Sequence, residues 1–382
     1  MANASVAARH IGIRLVAVAT IAAAAVACGS NPPTQTPAVP ATPSQVATAS
    51  LPAASGSPTP GLPTASPSPT PQGSPSPYAL LDGLPADAAV GQRLPVAVMV
   101  DDNAVARPQY GFNAASIVYQ APADGGEDRY MMVFQESDAP RVEPIRSGRP
   151  YFVMWASEYR AAFAHYGGDA KTLAYIPTID GRTLYNVDAL FGSGAAFHRD
   201  SKRTAPHNAY SSSDAIRSMA VRHGAPSTMR GDVGLRPFAD DLPAAQRPTR
   251  GSILIQYGTG ATGYTYDATS NGYLRSVAGR PQLDAADGKR VTARNVVVLY
   301  MGLSIDPESE PGHARPVLDL IGSGKALVFR DGWVFTGTWR KDSASGLTRF
   351  YDRSGNEITL VRGRIFIQVV ATGTKVTYDA RS

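Results

Sequence analysis

Between Asp101 and Asp169 the chain repeatedly places polar groups where an apolar run ends: Asp101, Asn103, Arg107, Arg129, Arg146, Ser147, Arg149, His165 and Asp169. An arginine guanidinium is a planar five-donor fork that matches a carboxylate or phosphate edge to edge. Arg146, Ser147 and Arg149 bracket the loop before Pro150, where a helix would begin, so two forks and the free N–H groups of a helix start converge on one place. The same arginines would serve equally well to pin loops by pairing with Asp and Glu across the fold, and residue types alone leave both readings open. A second polar group, Lys202, Arg203, His207 and Asn208, sits in a loop able to close over the same cleft. Acid–base chemistry would fall to His165, with Asp101 or Asp169 orienting its ring, on the condition that the ring is open to solvent and within about 3 Å of one carboxylate. Ser147, His165 and Asp169 make a conceivable nucleophilic set, but no G-x-S-x-G elbow surrounds Ser147.

Other chemistries fail on context. The only cysteine is Cys28, so the folded part has no thiol for a redox site or a Cys-rich zinc site. Gly258, Gly260 and Gly263 spell a dinucleotide fingerprint after a strand, but YTYDATSNGYLRS follows, a hairpin pattern where a helix is required. Gly322-Ser323-Gly324-Lys325 is similar to the end of a phosphate loop, yet Ala326 stands where the metal-binding hydroxyl belongs, and the segment reads as a turn before KALVF. His165, His198, His207, His223 and His313 show no metal-ligand spacing. Asp101, Asp102, Asp124, Glu127 and Asp128 form an acidic group that a cation could gather, although the sequence does not bring them together. No cofactor, metal or nucleotide is expected. Discounting Arg9 and Arg14, 34 basic and 31 acidic residues leave a net charge of +3, a mixed surface and no nucleic-acid footprint.

The elements that must position these groups are legible as alternating runs. The 382 residues allow two or three domains. Over about 85–225, strand patterns (LPVAVMV, ASIVYQA, RYMMVFQ) give way to a helix with Ser147 near its cap and Pro150 early in it. A short strand then ends at His165, and Asp169 caps a further helix. The expectation is an α/β (or α+β) N-terminal domain with polar groups at the carboxyl ends of strands, where such sheets collect ligands. Over about 250–375, SILIQY, GYTYDA, NGYLRSV, RNVVVLYM, KALVFRD, GWVFTGTW and RIFIQVV are short β-branched or aromatic runs separated by turn residues. They predict a β-rich C-terminal domain, a small antiparallel sheet or partial barrel. Residues 226–250, with Pro and Gly and no clear period, read as the link.

Ahead of both parts lies an address. Arg9, His10 and Arg14 precede the uncharged run LVAVATIAAAAVA, which stops at Cys28 in AVACGS. A basic start, a short apolar stretch and small residues before the stop predict a signal peptide over 1–27. The setting of Cys28 resembles the lipobox of bacterial lipoproteins, with Ala25 where Leu is usual, so Cys28 is expected to carry the acyl anchor. Residues 29–77 hold 14 prolines and no charge. They cannot bury enough apolar area to offset their ordering entropy, and 28–77 is read as a disordered Pro/Thr/Ser-rich tether.

The segments PVAVMVDDNAVARPQYGFNAASIVYQ, EDRYMMVFQ, VEPIRSGRPYF, FAHYGGDA, ARNVVVLYM, GSGKALVFRDGWVFTGTWRK and GNEITLVRGRIFIQVV resemble the YerB-like lipoproteins of Gram-positive bacteria. The resemblance covers both parts. It implies an extracytoplasmic, membrane-anchored lipoprotein with two distinct domains and no established activity, and it carries over no catalytic residues. Two functions are therefore expected to compete. One is a non-enzymatic binding or scaffold protein of the cell envelope, anchored by Arg146 and Arg149 to an anionic wall fragment or to an acidic segment of a wall-synthesis protein. The other is a cell-wall hydrolase or transferase with His165 as general base. The lack of a catalytic motif favours binding.

Overall fold

Ten strands drawn from both halves of the chain form one mixed sheet, seen in a computed structural model that describes residues 78–258 and 260–381. The expected signal peptide, Cys28 and the tether lie outside the described residues. In chain order the first half supplies β1 (Val96–Asp101), β2 (Ile117–Pro122), β3 (Asp128–Phe134), β4 (Ala162–His165) and β5 (Tyr185–Asp188). From the second half come β6 (Ser252–Tyr257), β7 (Gly260–Asp267), β8 (Gly272–Val277), β9 (Asn295–Met301), β10 (Gly322–Arg330), β11 (Trp333–Lys341), β12 (Arg349–Asp352), β13 (Ile365–Ala371) and β14 (Val376–Asp379).

The order across the large sheet is β12-β11-β10-β9-β13-β2-β3-β1-β4-β5. The α/β first part and β-rich second part expected from the sequence are both present, but they are joined along a strand edge. β2 runs parallel to β13 with Ile117 opposite Ile365, which makes the two halves one sheet. β9 is parallel to β13, and β1, β4 and β5 are parallel to one another. β6, β7, β8 and β14 belong to a second, antiparallel sheet.

Both faces of the large sheet are covered, which is why its strands are apolar at successive positions rather than at alternate ones. Val96, Val98 and Val100 face a core shared with Ile253, Ile255, Tyr264 and Tyr273 of the second sheet and with Ile216 and Met219 of a helix, Ser213–Arg222. Ala97 and Met99 face the opposite core with Trp155 and Phe152 of the helix Pro150–Glu158 and Ile176 of the helix Ala170–Ile179.

One local expectation is refined and one changes. Ser147 lies two residues before the cap position of the helix at Pro150, which is Arg149; that residue makes no side-chain capping bond, and Pro150 needs none because its missing N–H is one of the unpaired ones. Gly322-Ser323-Gly324-Lys325 is not a turn but the first four residues of β10, paired antiparallel with β11 from Gly322–Lys341 onward. Small residues there let the strand lie close against its neighbours: a Cβ on Gly324 would come within 2.7 Å of the Tyr300 carbonyl.

Candidate functional site

The carboxyl end of β1 stops at Asp101, directly across the sheet from Arg129, the second residue of β3. The segment Ile145–Gly148 then runs past both. The Arg146 N–H donates to the Met99 carbonyl at 3.0 Å, the Arg146 carbonyl accepts from Tyr166 N–H at 2.9 Å, and Gly148 N–H donates to the Gly167 carbonyl at 2.9 Å. Gly148 and Gly168 bridge to each other in close quarters; a Cβ on Gly168 would sit 3.0 Å from the Thr172 side chain. In this way the sheet end gathers Asp101, Arg129, Arg146, Ser147, Arg149, His165 and Asp169 in one neighbourhood.

Asp101 is the hub. Its Oδ2 accepts from His207 Nδ1 at 2.6 Å and faces Arg146 Nε at 3.1 Å. The loop of Lys202, Arg203, His207 and Asn208 meets the end of β1 through His207. Arg203 donates to the Ala106 and Pro108 carbonyls at 2.8 and 2.6 Å, and Asn208 Oδ1 accepts from Arg199 at 2.7 Å. Lys202 engages through its backbone, donating to Asp200 Oδ1. Asn103 bonds to Glu127, and Arg107 clamps Asp102 at 2.9 and 3.2 Å. Arg149 is turned inward, held by both oxygens of Asp124, with Asp169 Oδ2 3.4 Å from its Nε. Asp169 caps its helix by accepting from Thr172 N–H at 2.8 Å.

The arginines therefore divide. Arg107, Arg149 and Arg203 are loop-pinning groups with acidic or carbonyl partners. Arg129 is different. Its residue is 3% exposed, one guanidinium nitrogen donates to the Ser147 carbonyl at 3.0 Å, and among the described residues its buried Nε has no partner and it forms no ion pair. Arg146, partly open to solvent, has only the shared contact to Asp101. Burial and the neighbouring Arg129 charge lower the Arg146 pKa from its ordinary value, against the pull of Asp101 and Glu127. A guanidinium taken out of water without a counter-ion is costly, and here two like charges lie side by side. Chemically the arrangement suits an oxyanion, which would supply the missing acceptors.

His165 does not meet the conditions set for a base. It is fully buried, its Nδ1–H donates to the Gly167 carbonyl at 2.8 Å, and its Nε2 lies 2.9 Å from Asn186 Oδ1. Neither Asp101 nor Asp169 bonds to it; the nearest carboxylate is Asp188 at 3.9 Å. The carboxylate-oriented histidine is His207, on the loop. The expected nucleophilic set is also dispersed, since Ser147 enters through its carbonyl and Asp169 is a helix cap. Among the described residues no group of three or more His, Cys, Asp or Glu is placed to hold a metal, so the acidic group does not gather.

Sequence reasoning missed the network behind the site. Asp102, fully buried, accepts from Gln120 at 3.2 Å, and Gln120 in turn accepts from Arg275 of β8 at 2.5 Å. Burial raises the Asp102 pKa, while Arg107 and Arg275 pull it down. Arg275 carried a weak signal, a lone charge at an alternating strand position, but nothing local names its partners.

A mixed sheet whose two halves share one edge, with this strand-end cluster, matches two family models described as "Protein of unknown function (DUF3048) N-terminal domain", over residues 81–226, and its C-terminal domain, over 253–367. The chain carries both domains and belongs to this family. It is 29% identical over 296 residues, 76% of this chain and 86% of the other, to "Putative lipoprotein YerB" of Bacillus subtilis (strain 168). The crystal structure of the YerB protein from Bacillus subtilis superposes with a TM-score of 0.69 at 27% identity, covering 78% of this chain and 99% of that one. No helix among the described residues is long and apolar enough to cross a membrane.

Proposed function

We propose that this chain is a membrane-anchored lipoprotein on the extracytoplasmic face of a Gram-positive envelope, and that its folded part is a binding module for an anionic wall fragment or an acidic protein segment. The anchor would be Cys28, supported by its lipobox-like setting and by the lipoprotein name of the Bacillus relative. The observation that carries the binding reading is Arg129: a buried guanidinium with one acceptor and no counter-ion, next to Arg146. A planar carboxylate or a phosphate would complete its hydrogen bonds and neutralise the pair.

The test is a thermal-shift screen of the full chain in detergent against muropeptides, teichoic-acid fragments and simple anions, with wild type, Arg146→Ala and Arg129→Met side by side. A ligand that raises the melting temperature of wild type and of neither variant supports the reading. Anions that shift all three equally, or none at all, reject it. The His207–Asp101 pair favours a second reading, hydrolysis or group transfer with His207 as base and Asp101 as orienting group. Turnover of muropeptides that is abolished in His207→Gln and persists in His165→Gln would establish it; no turnover by wild type would remove it.

A further inference from the structure

The glycine-lysine segment at the start of β10 forms one wall of a 660 Å³ cleft that the strand-end arginines do not reach. The opposite wall is Thr372-Gly373-Thr374-Lys375, the turn that follows β13. Because β9 and β13 are parallel, the cleft opens at their common carboxyl end, the place where mixed and parallel sheets collect ligands. Two small-residue segments, each ending in lysine, thus line one cavity, one on β10 and one in the turn after β13.

The walls are fixed while the cations are free. The Trp339 indole N–H donates to the Tyr300 carbonyl at 2.8 Å, and a Cβ on Gly324 would come within 2.6 Å of that indole nitrogen, so only glycine fits there. Both the backbone N–H and the hydroxyl of Thr372 donate to the Met301 carbonyl, at 2.8 and 3.1 Å, which ties the turn to β9. Lys325 and Lys375 are exposed, Lys325 Nζ lies 4.8 Å from the Tyr300 ring centroid, and among the described residues neither lysine forms an ion pair. Asp319, on the same lining, is likewise unpaired, its carboxylate packed so closely over Gly302 that no side chain fits there.

Both ammonium groups are exposed and hydrated, and because they line one cleft a single oxyanion can meet the two together. A carboxylate in the same cleft disfavours a second anionic group and offers an acceptor for hydroxyl hydrogens instead. The volume lies within the range of organic-ligand sites and exceeds what a bare phosphate needs. We propose that this cleft binds a phosphorylated polyol or sugar, with Lys325 and Lys375 on the phosphate and Asp319 on a hydroxyl. The site is separate from the Arg129 cluster and stands whether or not that cluster binds anything.

Isothermal titration of the full chain in detergent with sn-glycerol 3-phosphate tests it, with inorganic phosphate and glycerol as fragment controls. Dihexanoyl-phosphatidylglycerol, used below its micelle concentration, forms the lipid arm. The expected result is binding that weakens about tenfold, roughly 1.4 kcal/mol, in Lys325→Gln and in Lys375→Gln. Asp319→Asn should weaken glycerol 3-phosphate but not inorganic phosphate. Tighter binding of the short-chain lipid identifies a headgroup as the source, and tighter binding of glycerol 3-phosphate a soluble one; either supports the chemistry. Three results overturn it: no heat with any phosphate probe, equal affinity for inorganic phosphate and glycerol 3-phosphate, or binding that survives both lysine changes. Loss of binding in Arg129→Met instead would move the ligand to the strand-end cluster and overturn it too.

Discussion

Arg275 and Arg129 are both buried arginines without an ion pair, and they are equipped in opposite ways. Arg275 is enclosed by acceptors: Tyr264 at 3.1 Å, Gln120 at 2.5 Å, Tyr130 at 3.1 Å, Thr262 at 3.4 Å and Gln282. Rings of Tyr130, Tyr264 and Phe366 lie within 5.7 Å of its guanidinium carbon. Arg129 has the Ser147 carbonyl and a buried Nε facing nothing. A saturated buried cation is a building element that locks the two sheets together. An unsaturated one beside a strand end keeps donor capacity unused, and in the binding proposal that capacity is met by a ligand.

The contrast is sharpest at a third place, the Glu158 carboxylate. One oxygen accepts from Lys341 at 2.7 Å and Thr348 Oγ1 at 2.6 Å, and the other from Thr348 N–H at 3.2 Å, with Arg236 at 3.5 Å. Lys341 and Glu158 are both fully enclosed. Lys341→Met removes the closest counter-charge from this buried carboxylate, and a loss of about 3–5 kcal/mol is expected in urea unfolding. A loss below 1 kcal/mol would mean that saturation does not mark structural necessity.

Arg275→Met should come next, with about 2–3 kcal/mol lost, because Gln120 and Gln282 lose their buried donor and Asp102 keeps only Arg107 as a nearby cation. A smaller effect follows from Asp82, 1% exposed and pushed up from 3.8 to about 7 by burial and by Glu136 beside it. A carboxyl whose folded pKa is raised stabilises below its unfolded pKa, and that contribution is lost as pH rises from 3.8 toward about 7. Asp82→Asn should therefore flatten the decline of stability over that window and leave the variant more stable than wild type above it. Equal slopes in pH-dependent unfolding would contradict this. Smallest of all is Arg129→Met, where a change within about 0.5 kcal/mol or a slight gain is expected, since the charge it removes is uncompensated.

How much of this could be read from the sequence depends on the range of the interaction. The runs VAVMV, IVYQA and RIFIQVV have local patterns and become strands where expected. The meeting of Asp101, Arg129 and Arg146 is partly legible because Asp101 and Arg129 sit at recognisable strand ends. The join of the halves, Ile117 against Ile365, has no local signature, and neither does His207 finding Asp101 across 106 residues. His165 misled for a physical reason. A strand-end histidine reads as accessible, but the chain turns back at Gly167 to meet one ring nitrogen and Asn186 of β5 meets the other.

The most direct test of the contrast is urea unfolding of the full chain in detergent, for wild type and Arg129→Met, with and without citrate as a carboxylate probe. At about 100 times its dissociation constant citrate should stabilise wild type by about 2.7 kcal/mol. Arg129→Met, as stable as wild type without citrate, should gain nothing from it. If Arg129→Met instead loses more than about 2 kcal/mol in buffer alone, or citrate stabilises both proteins equally, Arg129 is a structural group like Arg275 and the binding account is contradicted.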